Sequence, residues 1–256
     1  MTPETSVAAL PPREQAARRP VRVAMVGDLH ARLDRPGRVR RHLRGVNDEA
    51  DLLLLAGDLT DHGDPHEAEL LAEELEAVRV PKVAVLGNHD HEQGKAAEIA
   101  HALSRGGIRV LDGDVFVFDK RLGVAGVKGF CGGFDQATLE PWGEEILKRF
   151  VLEAVNESLK LETALARIRG LERRIALLHY SPVHATIEGE MPEIAPFLGC
   201  SRLEEPIDKF AAVFAVHGHA HHGQVEGRTA RGIPVYNAAM ELLLERLGRS
   251  YRVVEV

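Results

Sequence analysis

The chain has 256 residues, 45% of them hydrophobic, which suits one α/β domain with a substantial core. Its formal net charge of −7 argues against a general nucleic-acid binder, whose surface is basic. Two cysteines, Cys131 and Cys200, give neither a disulfide framework nor a zinc ribbon, and no apolar run reaches membrane-spanning length, so the sequence reads as cytoplasmic with no membrane partner.

Residues 1–20 are Pro/Arg-rich and lack the apolar core of a signal peptide, so they read as a flexible leader to a domain over 21–256. The first runs of that domain are VRVAMV, DLLLLA and KVAVL, and RIALL and AAVFAV follow further on. Their near-continuous, β-branched-rich hydrophobicity predicts strands covered on both faces. Each leads into a short polar block: GDLH (Asp28, His30), GDLTD (Asp58, Asp61), GNHD (Asn88, His89, Asp90), LLHY (His179, Tyr180) and GHAH (His219, His221).

After GNHD, an amphipathic helix is predicted from about Gly94 to Arg105, then short strands IRVL, VFVF and LGVAGV that would build a second sheet. In FCGGFD, Gly132 and Gly133 make a turn or let backbone approach a phosphate. Leu147, Val151, Ala154, Leu161, Leu165 and Ile168 recur at helical spacing, predicting a helical insertion around 141–170. It suits a cap, a dimer-forming element that leaves a homo-oligomer open, or a helix packed on the sheet. The Pro/Gly-containing segment from Ser181 to Phe210 predicts a loop crossing the rim of the sheet and ending in a short helix near Leu203 to Phe210, and SYRVVEV a closing strand.

Strands lying side by side bring the residues just past their ends to one rim, where open α/β sheets hold ligands. The side chains gathered there would be Asp28, His30, Asp58, Asn88, His179, His219 and His221, a set of carboxylate, imidazole and amide donors with no thiolate. Such a set favours Mn, Fe, Zn or Co over a sulfur-bound structural zinc. Taken singly, GD and GN pairs are ordinary turn chemistry, Asp28 or Asp58 could cap a helix, and a lone His is usually a satisfied side chain. Those readings do not account for five such blocks in one chain. His42, His66, His91, His101 and His222 fit no block and read as solvated histidines.

The blocks, in order over Gly27 to His221, resemble the calcineurin-like metallophosphoesterase superfamily, whose pattern is DxH, GDxxD, GNH followed by Asp or Glu, a lone His, and GHxH. The resemblance implies a four-layer α-β-β-α sandwich with two mixed sheets and two divalent metal ions, manganese first, with iron, zinc, cobalt or nickel as alternatives. It assigns Asp28, His30 and His221 to one ion, Asn88, His179 and His219 to the other, and Asp58 to the bridge. His89 then matches the catalytic histidine and Asp61 the carboxylate that orients it. Asp90, Tyr180, His184 and His217 fall beside this set, as supporting or substrate-contacting residues.

The reaction implied is hydrolysis of a phosphodiester or phosphomonoester of a small molecule by attack of a metal-bridging hydroxide. A nuclease needs clustered basic residues at the rim, and Arg32, Arg35 and Arg38 are few. A non-catalytic protein-binding scaffold on the same fold would follow from decayed ligands, and here they are intact. Two positions depart from relatives. The Arg and Glu of the dedicated protein phosphatases are His62 and Asp90, and an Asn-Pro-Gly turn is reduced to Asn237 followed by Ala238 and Ala239.

Overall fold

The computed structural model describes residues 19–256, so nearly all of the leader expected over 1–20 lies outside the described residues. In chain order, β1 (Arg22–Val26) leads through α1 (Arg38–His42) and α2 (Val46–Glu49) to β2 (Leu52–Ala56). Then α3 (Pro65–Glu74) leads to β3 (Lys82–Val85), and α4 (Ala96–Arg105) to β4 (Ile108–Val110). The second half runs β5 (Asp114–Phe118), β6 (Leu122–Gly126), α5 (Glu145–Arg167), β7 (Arg173–Leu177), α6 (Ala195–Leu198), α7 (Glu204–Lys209) and β8 (Phe214–His217). It ends with β9 (Glu226–Arg228), β10 (Pro234–Asn237), α8 (Met240–Leu247) and β11 (Arg252–Glu255).

Two mixed sheets result, ordered β11-β1-β2-β3-β4 and β5-β6-β7-β8-β10-β9. Strands β1 to β4 run parallel with β11 antiparallel at one edge. In the other sheet β6, β7, β8 and β10 run parallel between antiparallel β5 and β9. Alternation along β2 shows why its apolar run is unbroken. Leu52, Leu54 and Ala56 pack into the layer shared with Val124, Leu177 and Val216 of the facing sheet, whereas Leu53 and Leu55 pack against Leu43, Leu71 and Ile99 of the helices. Each fully buried leucine contributes about 1.5–3 kcal/mol of transfer free energy. The outer face of the second sheet is covered by α5 and α7 through Leu161, Ala164, Leu165 and Ile207. The layers are thus helix, sheet, sheet, helix, in an α/β fold.

Two expectations are corrected. IRVL does not join the second sheet: β4 follows β3 through α4, and such a crossover returns the strand parallel beside its predecessor. Nor do the strands before the five blocks share one sheet, since β1, β2 and β3 belong to the first and β7 and β8 to the second. The 141–170 segment forms one helix of 23 residues, with Val151, Ala154, Leu161 and Leu165 buried, and it is the outer layer of the second sheet. The sequence reading passed over α3, although Asp64 accepts the His66 N–H as its cap and Pro65 occupies its first turn. No helix among the described residues is long and apolar enough to cross a membrane.

Candidate metal centre

The first three blocks leave the ends of β1, β2 and β3, and the last two leave β7 and β8, so the loops of both sheets meet along one rim. Their backbone is strained there. Asp28, His30, Asp58 and His219 all take positive φ, at 55°, 42°, 48° and 70°. Residues with side chains adopt this region at a cost of about 1–3 kcal/mol each, and such outliers gather at functional sites. The glycines that open the blocks make room for the neighbouring block. A Cβ on Gly87 would stand 2.1 Å from Asp58 Oδ1, one on Gly218 2.4 Å from Asp28 Oδ2, and one on Gly57 2.5 Å from His179 Nδ1.

Three donor clusters form among the described residues. Ligand atoms of Asp28, His30 and His221 lie within 4.8 Å of one another, as do those of Asp58, His179 and His219 and, in the third, those of His30, Asp61 and His89. His221 Nε2 sits 3.1 Å from Asp28 Oδ1, and the His219 N–H donates to both Asp28 oxygens at 3.0 Å. Asn88 joins the second cluster through Oδ1, 2.8 Å from His179 Nε2. His30 Nε2 stands 4.0 Å from Asp58 Oδ2, bringing the first cluster toward the second.

The donor chemistry fits a cation. His179 gives its Nδ1–H to the Ala56 carbonyl at 2.9 Å, so Nε2 presents a lone pair to Asn88 Oδ1 and, at 3.4 Å, to Asp58 Oδ1. Burial and then the neighbouring His219 push the pKa of His179 well below the ordinary histidine value, so Nε2 carries no proton of its own. Asp58 shows the same need. Burial first, then Asp28 and Asp90, push its carboxyl up to about 9, a position that a nearby cation reverses. Burial also opposes ionisation of Asp28, but His221, His179 and His30 outweigh it and hold that carboxylate charged. His30 Nδ1, 3.2 Å from Asp61 Oδ1 yet misaligned, is a buried nitrogen with no hydrogen-bond partner.

Around these donors lies a shell of orienting contacts. His219 Nε2 lies 3.2 Å from the carbonyl of Phe197, which leaves Nδ1 for the cluster, so the predicted rim-crossing loop reaches the site through its backbone. Asp90 is fully buried and clasps GDLTD to GNHD, accepting from Leu59 N, Thr60 N, Thr60 Oγ1 and Gly87 N. Asn237 holds the GHAH loop, donating from Nδ2 to the Ala220 carbonyl at 2.7 Å and accepting from Ala239 N at 3.1 Å. The side-chain amide thus braces the loop without an Asn-Pro-Gly turn.

His89 donates its backbone N–H to Asp58 Oδ1 at 2.9 Å and sets its ring edge-on to His30, with centroids 4.7 Å apart. Its Nδ1 lies 2.7 Å from the backbone carbonyl of Asp61. The Asp61 carboxylate lies within 4.8 Å of a His89 ring nitrogen but makes no hydrogen bond to it, facing His30 and pairing with Arg32 Nη1 at 3.0 Å. Tyr180 packs its ring 4.6 Å from that of His219 and 5.3 Å from that of His179. His217 is turned away from the donors. Its Nε2 meets Thr186 Oγ1 at 2.8 Å and its Nδ1 the Gly218 carbonyl at 2.7 Å, and burial pushes its pKa down to about 4, so it is a neutral, satisfied core histidine. His184 stacks edge-on with Phe134 and faces Glu188, 3.8 Å away. Gly133 takes positive φ in a β-bridge with Cys200, where a Cβ would meet the Ala137 carbonyl at 2.5 Å.

Among solved structures, the chain is similar to a phosphopantetheinyl hydrolase from Mycobacterium tuberculosis, with TM-score 0.65 and 14% identity over 92% of this chain and 96% of that one. It is also similar to a dimetal phosphatase from Danio rerio, with TM-score 0.56 and 11% identity over 93% of each. A third similar structure is an anchor in the inner membrane complex of Plasmodium, with TM-score 0.55 and 12% identity over 88% of this chain and 73% of that one. At such identities the likeness shows the fold alone. No curated sequence matches the chain. The family model for the calcineurin-like phosphoesterase matches residues 21–223, which takes in all five blocks. The chain therefore belongs to the calcineurin-like phosphoesterase family, hydrolases acting on phosphoric esters.

Proposed function

We propose that this protein hydrolyses phosphodiester or phosphomonoester bonds of small molecules at a binuclear centre, with Asp28, His30 and His221 on one ion, Asn88, His179 and His219 on the other, and Asp58 between them. The observation that carries the reading is the meeting of the two clusters, Asp28–His30–His221 and Asp58–His179–His219, on one rim. Divalent ions bound there supply charge neutralisation at the phosphoryl oxygens and lower the pKa of water. Manganese is the first candidate, then iron, zinc, cobalt or nickel, for a donor set of nitrogen and oxygen. His89 is the general acid: with Nδ1 anchored on the Asp61 carbonyl, Nε2 is left to give its proton to the leaving oxygen. The domain spans 21–256, and the free, buried Cys131 and Cys200 suit the reducing cytoplasm.

The test is hydrolysis of a chromogenic phosphodiester and the matching monoester by chelator-stripped enzyme reloaded with each metal in turn. Metal-dependent turnover of either ester supports the reading, and preference between them separates diesterase from monoesterase. Two ions bound with no turnover of either ester would reject it.

A further inference from the structure

The peptide joining Asp61 to His62 is gripped at both ends. Its carbonyl faces His89 Nδ1 at 2.7 Å, while its N–H donates to Glu67 Oε2 at 2.8 Å. The same Oε2 accepts the Asp61 N–H at 3.1 Å, and Oε1 lies 2.9 Å from His62 Nδ1. Glu67 is only 4% exposed. Its side-chain hydrogen bonds among the described residues all go to the Asp61–His62 segment, and it sits in the first turn of α3, where the helix N-terminus favours negative charge. We propose that Glu67 is a positioning residue for His89, acting through this peptide; the inference rests on the reading of His89 as general acid.

The physical basis is a chain of two hydrogen bonds through one amide. A carboxylate on the N–H side polarises the peptide and makes its carbonyl a stronger acceptor. That fixes the His89 ring and keeps the proton on Nδ1. When the ester bond breaks, the leaving oxygen takes the bond's electron pair and the proton from Nε2. The Nε2 electron pair stays on the ring, and Nδ1 keeps its proton on the carbonyl. The Asp61 carboxylate makes no hydrogen bond to the His89 ring, since it faces His30 and Arg32. An acid anchored on a less polarised and less firmly held peptide would lose alignment with the leaving oxygen, and alignment of this kind governs general-acid efficiency.

The test compares metal-loaded wild type, Glu67→Gln, Glu67→Ala, His89→Ala and the double variant Glu67→Gln/His89→Ala. Substrates are an alkyl phosphoester, whose leaving oxygen needs a proton, and a 4-nitrophenyl phosphoester, which departs without one. In Glu67→Gln, which keeps an oxygen acceptor and the side-chain shape, kcat on the alkyl ester should fall about tenfold. Its KM, its metal content and its kcat on the nitrophenyl ester should stay within about twofold, and Glu67→Ala should lose more on the alkyl ester. In the His89→Ala background, Glu67→Gln should cost nothing further, since the two act as one unit. Equal losses on both esters, a further loss in the double variant, or no loss at all would overturn the role of Glu67. If His89→Ala treats the two esters alike, the acid reading itself fails, and the proposal falls with it.

Discussion

Thermal unfolding of the metal-free protein should shift to lower midpoint as pH rises from 7.5 to 8.5. The reason is Asp58, whose carboxyl is pushed up to about 9 in the folded chain, first by burial and then by Asp28 and Asp90. An unfolded aspartate titrates near pH 3.9, so between those values the folded state holds one proton more than the unfolded state. Stability then falls with rising pH by at most about 1.4 kcal/mol per unit. His221 acts in the same direction. Its pKa is raised by its hydrogen bond to Asp28, so its contribution is present at low pH and lost as pH rises through its folded value. The histidines that burial holds down, His30, His42, His91, His179, His217 and His219, have the opposite sign, but in the unfolded chain they are almost fully deprotonated above about pH 7.5, so they contribute little in this window. Over this pH unit the loss is about 1 kcal/mol, or about 2–4 °C in midpoint for a domain of this size. Calorimetry in chelator at the two pH values measures it, and a saturating divalent ion should abolish the loss by holding Asp58 ionised at both. A midpoint in chelator that stays level or climbs with pH would refute the account of Asp58.

Further expectations follow from named contacts. His89→Ala should lower turnover by about two to four orders of magnitude with metal content unchanged, and unchanged kcat would remove His89 from the chemistry. Asp58→Asn should weaken both ions, so elemental analysis finding two full equivalents would reject its bridging role. Gly87→Ala drives a Cβ to 2.3 Å from the Asp58 backbone nitrogen and should cost about 3 kcal/mol or more in urea unfolding; a wild-type midpoint would show that the loops yield easily. Asn237→Ala frees the Ala220 carbonyl and should weaken metal affinity about 10- to 100-fold, which competition with a chelating dye reads directly.

The donor blocks were legible in the sequence for a physical reason. A ligand fixed at the end of a buried strand needs an apolar run, a glycine that lets the facing loop approach, and a donor placed at once after it, and all three leave marks in the residue order. What sequence could not carry was which atom of a residue does the work. Asp61 was expected to orient His89 through its carboxylate, yet the contact comes from its carbonyl, a group every residue owns. The Phe197 carbonyl beside His219 is invisible to motif reading for the same reason. Sheet membership was hidden too: three residues of β4 look the same beside β3 as in the other sheet, and only the crossover through α4 decides. Glu67 carried a faint signal, an acid in the first turn after Asp64 and Pro65, which reads as helix electrostatics until the loop above it is seen.

The donor set assigned to each ion draws on both ends of the chain, with Asp28 and His221 separated by 193 positions and Asn88 and His179 by 91. During synthesis, therefore, no amino-terminal fragment owns a complete set of donors, and the centre can assemble only after GHAH has left the ribosome and the two sheets have docked. Contacts of such long range form late and slowly. A truncated or half-folded product would accordingly be unable to cut phosphate esters, which makes hydrolytic competence a report that the whole polypeptide has been made and closed.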